Sequence, residues 1–259
     1  MGKIFETHAH YDDKAFDSDR QELIGTLLNH EIGAVVNVGA SISSSKRTLK
    51  LVKQYPFFYG AVGVHPSETA ELEETGMAFL RDAALQERIV AVGEIGLDYY
   101  WDTPEREIQK YWFVRQLELA REVELPVIIH SREAAKDTLE ILKAQKAGEI
   151  GGVIHCFSYS AEIARECLNL GFYLGIGGVI TFPNARKLRE VVQEAPLERI
   201  VLETDCPYLA PVPNRGKRNS SVNLIYIAEE IARMKSISYE EVVAATFENG
   251  KKLYKISNL

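Results

Sequence analysis

The chain has 259 residues, 46% hydrophobic and 26% charged, and a formal net charge of −7. This balance supports one large core and excludes disorder as the main state, and 18 glycines with 9 prolines exclude collagen-like and low-complexity chains. An acidic chain also lacks the broad basic face of a protein that coats nucleic acid, although a local basic patch stays compatible with transient contact.

The three cysteines, Cys156, Cys167 and Cys206, form no C-x-x-C pair and fit no disulfide framework, which points to a reduced, cytoplasmic setting. The first twenty residues hold no apolar stretch of the signal-peptide kind, and no 18-residue apolar run occurs. Neither a leader nor a membrane span is expected.

Short β-branched runs alternate with longer amphipathic ones. In chain order, strand and helix pairs are predicted at 4–8 and 19–30, 34–38 and 45–54, 59–64 and 68–86, then 89–94 and 104–122. They continue at 127–130 and 133–145, 153–155 and 161–170, 172–176 and 184–193, and 200–203 and 222–234, with a last helix at 239–254. Several strands are nearly all apolar, as in a parallel sheet buried on both faces. In the helix at 104–122, Thr103 stands where a cap belongs, Pro104 suits the first helical position and Glu105 the positive end. Eight alternations predict an α/β fold, a (β/α)₈ TIM barrel forming a single domain over 1–259. An open doubly wound sheet alternates in the same way, but no G-x-G-x-x-G follows the first strand. The irregular stretch 206–221, CPYLAPVPNRGKRNSS, reads as a lid loop.

Five of the six histidines fall at or just past a predicted strand's C-terminal end: His8, His10, His65, His130 and His155. Glu94, Glu203 and Asp205 take matching places, while His30 lies in a helical stretch. In a barrel these ends converge on the face where catalytic groups sit. Each residue alone is weak, because a strand-end histidine is more often a hydrogen-bonded structural residue. The conjunction is stronger. Imidazoles and carboxylates crowded into one partly buried cavity are costly without a cation, and both are ligands of divalent metals. In His8-x-His10, strand geometry aims two imidazoles to one face.

The segments THAHYDD, AVGVHPSE, AVGEIGLDYYW, LPVIIHSREA, GVIHCFSYS, FYLGIGGVITF, VLETDCPYLAP and RGKRNS resemble the TatD family of metal-dependent hydrolases, the TatD-type deoxyribonucleases among amidohydrolase-like barrels. They run from Thr7 to Ser221 and so cover most of the chain. The resemblance implies two divalent ions, with zinc, manganese, magnesium, iron and nickel as candidates. One would be held by His8, His10, Glu94 and Asp205, and the other by Glu94, His130 and His155, with Glu94 bridging. Asp205, Glu94 and Glu203 are then the catalytic carboxylates, Glu203 by orienting a ligand, and His65 contacts substrate. Two departures stand out: Glu6 where the family usually has Asp, and Ser220-Ser221 where it usually has Glu-Pro.

Metal-bound water loses a proton near neutral pH, so no serine or cysteine nucleophile is required, and Asp205 is placed to accept that proton. Arg132 and the loop cations Arg215, Lys217 and Arg218 read as a phosphate clamp. Tyr11, Tyr99, Tyr100, Phe157 and Tyr208 flank the same strand ends, as base-stacking groups or as pocket walls. The expectation is a monomeric deoxyribonuclease, exonuclease-like (3′–5′), acting on DNA ends. The alternatives are a metal-dependent carboxylic ester or amide hydrolase, such as a D-aminoacyl-tRNA deacylase, and a non-catalytic barrel serving as a binding protein.

Overall fold

The structure, a computed structural model, describes residues 2–257 and 259; Met1 and Asn258, at the edges of the expected 1–259 domain, lie outside the described residues. Eight strands form one parallel sheet in chain order: β1 (Ile4–Ala9), β2 (Ile32–Val38), β3 (Phe58–Val62), β4 (Ile89–Asp98), β5 (Val127–Arg132), β6 (Gly152–Ile154), β7 (Tyr173–Ile176) and β8 (Ile200–Leu202). The intervening helices are α1 (Arg20–Thr26), α2 (Ile42–Gln54), α3 (Glu74–Ala84), α4 (Arg106–Glu122), α5 (Ala135–Ala144), α6 (Ala161–Asn169) and α7 (Arg186–Glu194), and α8 (Leu224–Lys235) and α9 (Tyr239–Leu253) follow β8. The ring closes just past β8. There the Asp205 N–H donates to the His8 carbonyl at 3.0 Å and the His10 N–H to the Cys206 carbonyl at 2.8 Å. The fold is the (β/α)₈ barrel that the alternation predicts. Among the described residues no helix is long and apolar enough to cross a membrane.

The near-continuous apolar strands follow from burial on both faces. Ile128, Val153 and Val201 join Phe5, Val36 and Tyr59 in an inner cluster, while their neighbours Val127, Ile129, Ile154 and Leu202 belong to the larger cluster shared with the helices. Leu253 and Tyr254 add to the inner cluster, and the Tyr254 hydroxyl donates to the Thr7 carbonyl at 2.8 Å. The period of two then continues the inner face upward: His130, His155 and Glu203 each stand two residues beyond an inner-cluster residue.

Three departures from the expected elements bear on the site. β4 runs on to Asp98 rather than stopping at Glu94. Gly96 permits this, since its φ is 141° and a Cβ there would lie 1.9 Å from the His130 carbonyl oxygen. The fourth helix begins at Arg106, with Glu105 at the cap position and no side-chain cap bond. Gln109 instead ties its start to the strand end, donating to the carbonyls of Asp98 and Pro104. The loop 206–221 is no free lid. Asn219, fully buried, donates to the Thr204 and Tyr208 carbonyls and accepts from the Ser220 N–H and Asn223 Nδ2. Tyr11 pins the loop's far end, its hydroxyl donating to Ser221 Oγ at 2.8 Å and accepting the Ser221 N–H at 3.0 Å.

Candidate metal centre

Residues separated by up to 197 positions meet at the C-terminal mouth of the barrel. His8 Nε2 and His10 Nε2 face each other at 3.1 Å. Glu94 Oε2 lies 3.5 Å from the first and 3.6 Å from the second. Asp205 Oδ1 stands 3.3 Å from His10 Nε2 and 3.7 Å from His8 Nε2. On the other side, Glu94 Oε1 lies 2.9 Å from His130 Nδ1 and 3.0 Å from His155 Nε2. One carboxylate thus offers one oxygen to each pair of imidazoles. The donor atoms of His8, His10 and Glu94, and those of Glu94, His130 and His155, each gather within 4.8 Å, as a metal ion requires.

The outer nitrogens show that this donor set fits a cation. His10 Nδ1 lies 2.8 Å from the Val38 carbonyl, which can only accept, so Nδ1 carries the proton and Nε2 presents its lone pair inward. His130 Nε2 lies 3.0 Å from Asp98 Oδ2, which turns Nδ1 toward Glu94 in the same way. His155 Nδ1 lies 3.5 Å from Glu203 Oε1, and that oxygen also accepts the Cys156 N–H. Gly175 leaves the room Glu203 needs, since a Cβ there would meet Glu203 Oε2 at 2.3 Å. Glu203 therefore works through His155, and Asp98 does the same for His130.

Asp98 is absent from the sequence-derived site. It belongs to the GEIGLDYY motif but hides behind the assumption that the strand ends at Glu94. Had β4 been extended by its own period of two, Glu94, Gly96 and Asp98 would have shared a face. Burial works against the Asp98 charge, but His130 and the Trp101 N–H outweigh it and hold the carboxyl down at about 2. Asp98→Asn should weaken metal affinity about 10- to 100-fold, as removal of a ligand's hydrogen-bond partner does. Metal titration by calorimetry checks this, and unchanged affinity would remove Asp98 from the site.

Protonation follows from the same packing. Burial opposes charge on His10, yet Asp205 and Glu94 outweigh it and push its pKa up to about 9 in the metal-free protein. Burial pushes Glu6 up to about 8, against hydrogen bonds from Thr204. Both groups hold their protons more tightly folded than unfolded, so the stability they contribute is full below their ordinary values of 6.5 and 4.5. It is lost as pH rises through about 8 for Glu6 and about 9 for His10. The melting temperature of metal-free protein should therefore fall from pH 6 to pH 9. Scanning calorimetry in chelator would show a flat or rising trend if these assignments are wrong.

The two departures from the family pattern meet in space. Glu6 is fully buried and accepts from the Thr204 N–H at 2.9 Å and from the Thr204 hydroxyl. Ser221, also fully buried, lies beside it and accepts from the Tyr11 hydroxyl. Glu6 and Ser221 thus share the buried region where β1, the end of β8 and the loop meet.

A cleft of about 880 Å³ opens over the cluster. Of the predicted clamp, Arg132 lines it, while Arg215, Lys217 and Arg218 do not. Arg218 is engaged by Asp19 and the Ala15 carbonyl, Arg215 lies over the Phe182 ring at 4.4 Å, and Lys217 reaches Asn214 at 3.4 Å. Of the three, only Arg218 is held in an ion pair, and it points to Asp19 rather than over the cleft. Lys14 and Arg47 line the cleft instead. The predicted aromatics also divide. Tyr11 and Phe157 are buried, Tyr99 donates to Asp137, and Tyr208 lines the cleft together with Trp101, which the sequence reading passed over.

Imidazoles and carboxylates gathered at the mouth of a parallel eight-stranded barrel define a metallohydrolase. The chain belongs to the TatD family of metal-dependent hydrolases: the family described as TatD related DNase matches residues 5–255. It is 43% identical over 254 residues to the uncharacterized metal-dependent hydrolase YabD of Bacillus subtilis, covering 98% of this chain and 100% of that one. It is 35% identical over 260 residues to the uncharacterized metal-dependent hydrolase YcfH of Escherichia coli, covering 98% and 96%. The crystal structure of YjjV, a TatD homolog from Escherichia coli K12, superposes with a TM-score of 0.92 at 30% identity, covering 98% of each chain.

Proposed function

We propose that this protein is a deoxyribonuclease that removes nucleotides from DNA ends in an exonuclease-like, 3′–5′ manner, using two divalent ions. The observation that carries this reading is the shared cleft: Lys14 and Arg132 line the same opening as His10, Glu94 and Asp205. Cations beside a hydrolytic centre suit a phosphodiester, whose charge they bind and orient. His8, His10, Glu94 and Asp205 would hold one ion, and Glu94, His130 and His155 the other. Bound ions of this kind acidify water and stabilise the charge that develops during displacement at phosphorus.

The chain's own groups supply the rest. Asp205 approaches His10 through Oδ1, and its second oxygen takes the proton released by the attacking water. His65 accepts the Ser67 N–H at Nδ1, 3.2 Å away, so its proton sits on Nε2. Burial, with His130 beside it, pushes the His65 pKa down to about 3. His65 is therefore a neutral donor facing the cleft, suited to a substrate oxygen.

The test is digestion of end-labelled single- and double-stranded DNA with a panel of divalent cations, beside turnover of bis-p-nitrophenyl phosphate and p-nitrophenyl acetate. Phosphodiester turnover that a chelator abolishes is expected. Turnover of the carboxylic ester alone would overturn the reading in favour of an ester or amide hydrolase, such as a D-aminoacyl-tRNA deacylase.

A further inference from the structure

Asp98 has two attachments. Its Oδ2 faces His130 Nε2, and its Oδ1 accepts the backbone N–H groups of Tyr100 and Trp101, each at 3.0 Å. The carboxylate that orients a ligand histidine therefore also holds the turn that follows β4. That turn carries two large aromatic rings outward, Tyr100 at 52% exposure and Trp101 at 64%. Large exposed apolar groups are the informative exceptions to burial. The rings stand edge to face, with centroids 5.1 Å apart. From the end of β5, Arg132 lays its guanidinium over Tyr100, 3.7 Å from the ring centroid. A guanidinium stacked in this way keeps its N–H edges available for a phosphate. Arg47 is paired with Asp12 and Arg218 with Asp19, whereas among the described residues no carboxylate forms an ion pair with Arg132. Trp101 and Arg132 both line the cleft that holds Glu94 and His130.

We propose that Trp101 is the stacking wall of a nucleotide subsite and that Arg132, braced on Tyr100, binds the adjoining phosphate. The inference rests on the nuclease reading and deepens it. A tryptophan face accepts any base that is free of its partner strand, and one base stacked on an aromatic ring contributes about 1–3 kcal/mol. The subsite thus selects an unpaired nucleotide by its ring and not by its sequence. Because Asp98 joins this turn to His130, the wall is held in register with the metal ligands.

The experiment uses the full-length, metal-loaded protein and two end-labelled decamers, one of thymidine throughout and one abasic at the last three residues of each end. Wild type should cleave the thymidine strand with a kcat/KM about 5- to 100-fold higher. Trp101→Ala should bring that ratio to within about twofold of unity, and Trp101→Phe should keep most of it. Fluorescence gives a second readout, because Trp101 and Trp112 are the only tryptophans and Trp112 is buried at 9% exposure. Phosphorothioate-linked decathymidylate should quench wild-type emission and leave Trp101→Phe unchanged. Wild type that cuts both strands alike, or a Trp101→Ala variant that still discriminates, overturns the subsite while the nuclease reading stands. A wild type that cuts neither strand but hydrolyses p-nitrophenyl acetate overturns both.

Discussion

Glu94→Gln should lower turnover of DNA and of a small diester by about a thousandfold or more and reduce the metal bound per chain, while the far-ultraviolet circular dichroism stays that of the folded barrel. Each Glu94 oxygen serves a different imidazole pair, at 3.5 and 3.6 Å on one side and 2.9 and 3.0 Å on the other. Burial alone would raise its pKa, but His155, His65 and His130 hold the carboxyl well below the usual range. An amide of equal volume keeps the packing and removes the charge that balances the cluster. Loss of ion-mediated charge stabilisation amounts to several kcal/mol, and each 1.36 kcal/mol is tenfold in rate, which gives roughly three decades. His130→Ala should act in the same direction. Near-normal turnover, or full metal content by elemental analysis, in either variant would refute the ligand assignment.

Asn219→Ala should destabilise the protein by about 2–4 kcal/mol. The side chain is fully buried and makes four hydrogen bonds, to the Thr204 and Tyr208 carbonyls and from the Ser220 N–H and Asn223 Nδ2. Alanine leaves those partners desolvated and unpaired, which costs more than the net value of the bonds themselves. For a chain of this size the melting temperature should drop roughly 5–15 °C. Because Thr204 and Tyr208 flank Asp205, metal affinity should fall as well. Scanning calorimetry with and without metal reads both effects. A drop smaller than about 2 °C would show that the loop is anchored elsewhere.

Much of the site is legible before folding. Val127 to Ile129 and Val153 to Ile154 are apolar runs, so His130 and His155 mark the points where each strand leaves the core. His8-x-His10 declares a shared face through the strand period alone. Other parts are not legible. Asp98 lies beyond a glycine whose backbone conformation no local pattern reveals, and the apolar run stops short of it although Gly96 passes close to His130. Trp101 looks like any surface residue until the Asp98 carboxylate is seen to hold its turn. The partner of the basic loop is not legible either. Arg218 finds Asp19, 199 positions away along the chain, and is satisfied there rather than over the cleft.

Local period and composition by themselves determine eight strands, their covering helices, and the kinds of side chain that stand at the strand ends, because burial on a strand repeats every two residues whatever lies across the ring. Which of those side chains meet is decided only by closure. Joining β1 to the segment after β8, through the Asp205 N–H and the His8 carbonyl, brings Asp205 to 3.3 Å from His10. That distance depends on hydrogen bonds between the first strand and the segment after the last, and no window of neighbouring residues contains it.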